Sequence, residues 1–147
     1  MPEMWERASV GKTIDKILSH WREIGEIVQE RKATYGKSGF GGTGHNGVSD
    51  PTANEAIRHA DEITSITCSD GLRVWKPEMW LAVFRESYEN LDGIMRDIMK
   101  RRYRDCESYV KTSIALNITD RVYYSIVDDI RSYVVMISIQ HGLVKVR

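Results

Sequence analysis

From Val10 the apolar residues recur at steps of three and four: Val10, Ile14, Ile17, Leu18, Trp21, Ile24, Ile27 and Val28. That spacing draws one stripe along a helix, and Asp15, Lys16, Arg22, Glu23, Glu30 and Arg31 fill the opposite face. The pattern predicts a single long helix from about Pro2 to Thr34, long enough to pack in a bundle or to pair with a second copy of the chain. From Tyr35 to Ser49 the periodicity stops. Gly36, Gly39, Gly41, Gly42, Gly44 and Gly47 crowd this stretch, with Phe40 and Val48 almost its only core-forming residues, so it reads as a flexible linker. Asp50-Pro51 restarts the pattern, because Asp caps a helix and Pro suits its first position. Ala53, Ala56, Ile57, Ala60, Ile63 and Ile66 continue at helical spacing to a turn at Cys68-Ser69-Asp70-Gly71. Lys76-Pro77 opens another helix, whose stripe of Trp80, Val83, Phe84, Tyr88, Leu91, Ile94, Met95 and Ile98 runs unbroken to about Tyr103. Convincing period-two alternation and internal repeats are both missing.

The last forty-five or so residues carry a more specific pattern. A short helix is predicted from about Ser108 to Leu116. Asn117 follows, a residue that tolerates the left-handed backbone ending a helix. Ile118 plugs the corner, and Thr119 or Asp120 caps a second helix with Val122, Tyr123, Ile126, Ile130, Val134 and Ile137 on one broad face. Ser113 lies four residues before the turn, where two crossing helices need a small side chain. This is the layout of a helix-turn-helix, at roughly residues 108–137. Gly142 ends the second helix and leaves Leu143 to Arg147 as a tail or short strand. The chain is therefore predicted to be all-α: an N-terminal helical segment over residues 1–34, a linker over 35–49, and a helical domain over 50–147 that closes with the helix-turn-helix.

Size and composition bound the choices. The chain has 147 residues, enough for one domain with a core supplied by four Trp, seven Tyr and many Ile and Val. Lys plus Arg equals Asp plus Glu at 21 each, which argues against a general nucleic-acid coat protein but leaves room for a locally basic face. Two cysteines, Cys68 and Cys106, are too few for a disulfide framework and point to reduced thiols in a cytoplasm. Met1 to Arg7 does not resemble a signal peptide, and no apolar run approaches a membrane span.

Motifs for catalysis are weak. Gly39-Phe40-Gly41-Gly42-Thr43-Gly44 matches the glycine spacing of a dinucleotide-binding turn but lacks the strand before and the helix after. Gly11-Lys12-Thr13 sits inside a helical stripe with Glu6 where a phosphate-binding loop needs Gly. His20, His45, His59 and His141 do not pair with one another or with Cys at metal-ligand spacing. Neither Ser nor Cys occupies a nucleophile turn. The expectation is a protein that is not an enzyme and holds no cofactor and no metal.

The basic cluster is another matter. Lys100, Arg101, Arg102 and Arg104, with Lys111 nearby, lie just ahead of the helix-turn-helix, where such motifs approach the phosphate backbone. A solvated helix end is the plainer alternative, since bases there also complement the helix dipole. On the second helix Arg121, Tyr124 and Ser125 point outward beside Asp120, Asp128 and Asp129, and the first three could reach bases or phosphates.

Taken in order, Trp21, Ser49-Asp50-Pro51-Thr52, Arg102-Tyr103, Leu116-Asn117-Ile118-Thr119 and Tyr123-Tyr124 resemble the pattern of the phage late-gene transcription regulators of the RinA and ArpU type. That family ends in a helix-turn-helix similar to region four of sigma factors. It usually has an Ile-Ala pair where this chain has Thr112-Ser113, and Gly where it has Asn117. The resemblance implies a DNA-binding protein that works with host RNA polymerase on late genes, as activator or antiterminator. Its partners would be double-stranded DNA, the polymerase and further copies of itself, with no membrane. Two other readings compete: a small terminase-like packaging protein that also binds DNA, and a helical bundle that binds only proteins.

Overall fold

The long N-terminal stripe folds as two helices. The computed structural model describes residues 4–5, 7–40 and 63–146. Helix α1 spans Arg7–Ser19 and α2 spans Trp21–Phe40. The break at His20 has local causes. The Ser19 hydroxyl donates to the Asp15 carbonyl at 2.7 Å, and the His20 ring bonds the Lys16 carbonyl at 2.7 Å. The His20 amide reaches Ile17 at 3.0 Å, a tighter turn than α-helical. Short side chains that bond the preceding turn compete with the helical ladder in this way. Helix α2 then continues through residues 35–40, where the glycine content predicted the start of a linker. The rest of that linker, the Ser49-Asp50-Pro51-Thr52 element and the helical pattern up to residue 62 lie outside the described residues.

Contacts divide the chain into two units, residues 23–78 and residues 1–22 with 79–147. The first unit contains most of α2 and a hairpin, β2 (Ser65–Thr67) and β3 (Arg73–Trp75). The strands pair antiparallel in the register Ser65 with Trp75, Ile66 with Val74 and Thr67 with Arg73. This corrects the helix expected to run through Ile63 and Ile66. Ile66 and Val74 are buried at the centre of the strands while Thr67, Arg73 and Trp75 are exposed, a period of two too short to register as a pattern. The expected turn is present but serves the hairpin. Gly71 takes φ +91°, its amide bonds Cys68 at 2.9 Å, and the Leu72 amide bonds the Asp70 carboxylate at 3.0 Å.

The second unit holds α1, α3 (Pro77–Asn90, from Met79 onward), α4 (Gly93–Met99), a π-helical turn over Lys100–Arg104, α5 (Tyr109–Leu116) and α6 (Asp120–Gln140). Strands β1 (Met4–Trp5) and β4 (Lys145–Val146) pair in parallel. Helix α6 is the axis on which α1, α4 and α5 pack. Its inward stripe of Tyr123, Val127, Ile130, Val134 and Ile137 is buried. Val122, placed on that face by the sequence pattern, is instead exposed, because it lies one residue off the stripe.

The helix predicted to run unbroken to Tyr103 is interrupted at Leu91-Asp92. Asp92 caps α4 by accepting from the Met95 amide at 3.2 Å. The Arg96 guanidinium reaches back to the Tyr88 and Glu89 carbonyls at 3.0 and 2.8 Å, so the end of α3 keeps its acceptors satisfied. Trp80, Phe84, Leu91 and Ile98 are nonetheless all buried, as their spacing predicted. Mostly helical content agrees with the all-α expectation, and no helix among the described residues is long and apolar enough to cross a membrane.

Where α5 meets the core, Thr112 and Ser113 are buried and their hydroxyls have no hydrogen-bond partner among the described residues. A desolvated hydroxyl without a partner costs about 1–3 kcal/mol. Thr112→Val keeps the shape and removes the group, so it should stabilise the fold by about 1 kcal/mol, read as a rise in the urea midpoint at unchanged slope. A fall would mean that the hydroxyl is satisfied in solution.

Candidate nucleic-acid interface

Helices α5 and α6 meet through a short turn that the sequence specifies at both ends. Ser108 caps α5 by accepting from the Lys111 amide at 3.3 Å. Asn117 takes the left-handed conformation, φ 55° and ψ 48°. The Asn117 amide bonds the Ile114 carbonyl at 3.2 Å, and Ile118 bonds Ser113 at 3.0 Å, the paired closure of a Schellman end. Thr119 caps α6 by accepting from the Val122 amide at 3.2 Å. Ile118 is half-buried at the corner.

The first turns of α6 present Arg121, Tyr124 and Ser125, all exposed. They lie off the buried stripe. Tyr124 packs on Tyr109 of α5 and on Tyr123 at ring distances of 5.6 and 5.1 Å, which holds its position while leaving it exposed. Lys111 is exposed on α5, and Lys100 and Arg104 are exposed on the π-helical turn. Arg104 rests over the Trp21 ring at 5.9 Å.

Arg101 and Arg102 differ from their neighbours because both are engaged within the molecule. Arg101 pairs with Asp97 at 2.9 Å and Glu107 at 3.3 Å. Arg102 donates to the Tyr123 hydroxyl at 3.1 Å, lies over the Tyr103 and Tyr123 rings, and pairs with Asp15 at 3.8 Å. The π-helical turn, closed by the Asp105 amide on the Lys100 carbonyl at 2.9 Å, carries all four of these bases. It divides them between solvent-facing and internally paired positions.

At the centre of the paired set is Asp15. Its Oδ1 accepts from the Tyr103 hydroxyl at 2.6 Å and from Arg131 Nε at 3.0 Å. Sequence reasoning placed Asp15 on a solvated face and singled out neither Tyr103 nor Arg131 for a role. Its partners lie 88 and 116 residues further along, so local spacing holds no signal for them. Arg131 also draws Asp128 toward itself at 3.3 Å, which offsets one of the two acidic charges on the outer part of α6.

Comparison with family models, with curated proteins and with solved structures finds no match to this chain.

Burial pushes the Tyr103 phenol up to about 12, and its hydrogen bond to Asp15 adds to the shift, while Arg131 opposes it. An unfolded tyrosine ionises near pH 10. The folded state therefore holds the proton more tightly, and this contribution is complete below about pH 10 and lost as pH rises toward 12. Tyr103→Phe should lower stability at neutral pH. Its deficit relative to the unaltered chain should shrink between pH 10 and 12, read from urea midpoints. A deficit constant across that window would show that the phenol is not held as described. Asp15→Ala should cost about 2 kcal/mol, between exposed and buried ion-pair values, because it leaves Arg102 and Arg131 without their shared acceptor. The same urea titration checks it.

Proposed function

We propose that this chain is a DNA-binding transcription regulator in which α5, the Asn117 turn and α6 act as a helix-turn-helix. The observation that carries this reading is the exposed trio Arg121, Tyr124 and Ser125 on the first turns of α6, directly after a capped, left-handed turn. In such motifs this part of the second helix reaches base edges. Lys100, Arg104 and Lys111 are the exposed bases suited to phosphate contact. Arg101 and Arg102, engaged with Asp97, Glu107, Asp15 and Tyr123, support the turn that presents them. The resemblance to the RinA and ArpU type extends the proposal to phage late genes read by host RNA polymerase, by activation or antitermination. The protein acts by binding rather than by catalysis, in the cytoplasm of the host.

One observation favours the protein-interaction alternative. Val110 and Ile114 are 48 and 76 % exposed on the outer side of α5, which is unusual for a helix that only positions its neighbour.

Duplex DNA selected from a random pool against the purified chain, followed by anisotropy titrations at several salt concentrations, separates the two. Lys100→Ala with Arg104→Ala should weaken binding to all sequences alike and reduce the salt slope by about 2. Arg121→Ala should instead narrow the gap between selected and random duplexes by roughly 1–3 kcal/mol. Failure of the unaltered chain to bind any duplex at low salt, with and without polymerase, would leave the interaction bundle standing.

A further inference from the structure

Helix α6 carries apolar residues on two opposite sides. Its inner stripe of Tyr123, Val127, Ile130, Val134 and Ile137 is buried in the core of its unit. On the other side a second row runs Val122, Ser125, Asp129, Ser132, Met136 and Ile139, and every member is exposed. Val122, Met136 and Ile139 are 44, 45 and 44 % exposed. Half-buried Ile126, Tyr133 and Val135 flank the row and widen it. One-sided packing leaves this second row in water, and a helix that is apolar on both sides is built to be covered on both.

The row has the spacing of a seam. Its steps alternate between three and four, as they do where two helices wind around one another. It also reads alike from either end. Turned end for end about a two-fold axis between Asp129 and Ser132, Val122 falls opposite Ile139, Ser125 opposite Met136, and Asp129 opposite Ser132. The outer layers are then apolar against apolar. The next layers set a small side chain against a long one. At the centre the Ser132 hydroxyl of one copy can donate to the Asp129 carboxylate of the other. A surface that pairs with itself across a two-fold axis must match its own reversed image, and this row does.

Charge selects the direction. A parallel pair would set Asp129 against Asp129 and align the two helix dipoles. The antiparallel pair sets Asp129 against Ser132 and opposes the dipoles. Beside the row lie Arg121 and Asp128. Asp128 is drawn to Arg131 at 3.3 Å within its own chain, and Arg121 stands at one end, away from the central layer. The two Asp129 carboxylates, one on each side of the axis, still oppose pairing.

We infer that the outer row of α6 is a self-association face, through which two copies of this chain pair antiparallel. The inference does not rest on the duplex reading. The seam covers Ser125 and leaves Arg121 and Tyr124 beside it, so pairing and base contact through Ser125 exclude one another.

One helix from each copy makes a small interface, and dissociation in the range of about 1–100 µM is expected. Sedimentation equilibrium of the full chain across that range should show monomer and dimer. Met136→Ala and Ile139→Ala should each weaken pairing by about tenfold, because a symmetric pair loses each side chain twice. Asp129→Asn should strengthen it by about threefold to tenfold, since it removes the like charges and keeps an acceptor for Ser132. All three positions are exposed, so circular dichroism of the dilute variants should match that of the unaltered chain. Direction is read by disulfide formation in a Cys106→Ser background. A Val122→Cys chain mixed with an Ile139→Cys chain should give the mixed disulfide, and neither chain alone should cross-link. A chain that stays monomeric throughout overturns the inference. So does a dimer that ignores Met136→Ala, Ile139→Ala and Asp129→Asn, or a Val122→Cys chain that cross-links to itself. Monomeric behaviour leaves the duplex titrations to decide the regulator reading, and failure of those titrations leaves the pairing untouched.

Discussion

The second unit depends on one carboxylate. Asp15 projects from α1, accepts from Tyr103 on the π-helical turn and from Arg131 on α6, and lies beside Arg102. Three elements distant in sequence therefore share a single acceptor. Two guanidinium groups brought this close would repel one another without it. The surrounding core of Ile14, Leu18, Ile98, Met99, Val127 and Ile130 is fully buried, and hydrophobic burial supplies the bulk of the stability. Burial alone is non-directional. The Asp15 contacts are directional, and they set which residues of the π-helical turn face inward and which face solvent.

That division matters for function. A regular α-helix through Lys100 to Arg104 would continue the register of α4 and distribute the bases by that register. The widened turn places Tyr103 in the core, gives Arg101 and Arg102 intramolecular partners, and leaves Lys100 and Arg104 exposed. A run of bases that looks uniform in sequence thus contains two kinds. Partners within the chain hold Arg101 and Arg102 in fixed geometry, and a phosphate would have to compete with carboxylates already within 2.9 to 3.8 Å.

Helix α6 meets several demands along its length. Its inner stripe is the axis of the unit's core. Its first turns are tied to α5 by the Asn117 turn, the Thr119 cap and the three tyrosines. Arg102 joins these two systems, because it touches Asp15 on one side and the Tyr123 hydroxyl on the other. The carboxylate that orders the π-helical turn is thereby linked, through one guanidinium, to the ring that positions Tyr109 and Tyr124. Further along, the outer face of α6 changes character, from Arg121 and Ser125, through Asp129 and Ser132, to Met136 and Ile139. Its first turns carry the Tyr123-Tyr124 pair and the exposed, oppositely charged Asp120 and Arg121.

What the sequence determined by itself was local. Ser108, Asn117, Thr119 and Gly142 act on the backbone within a few residues, so the ends of α5 and α6 were legible from side-chain chemistry. Trp80, Phe84, Leu91 and Ile98 were legible as core from their period, whereas Ile94 in the same predicted stripe and Val122 in that of α6 are exposed. The breaks at His20 and Leu91-Asp92 were not legible, since the stripe continues across each while side chains such as Ser19 and Arg96 satisfy the interrupted backbone. Three-residue strands were too short for alternation to compete with helical spacing, so the hairpin was missed. Tyr124 was legible as an outward residue, but its contact with Tyr109 across the turn was not. Only tertiary structure decided the fate of the charges. Whether Asp15, Arg101, Arg102 or Arg131 meets water or a partner is set by what folding brings beside it, and for Asp15 those partners lie far away in the chain.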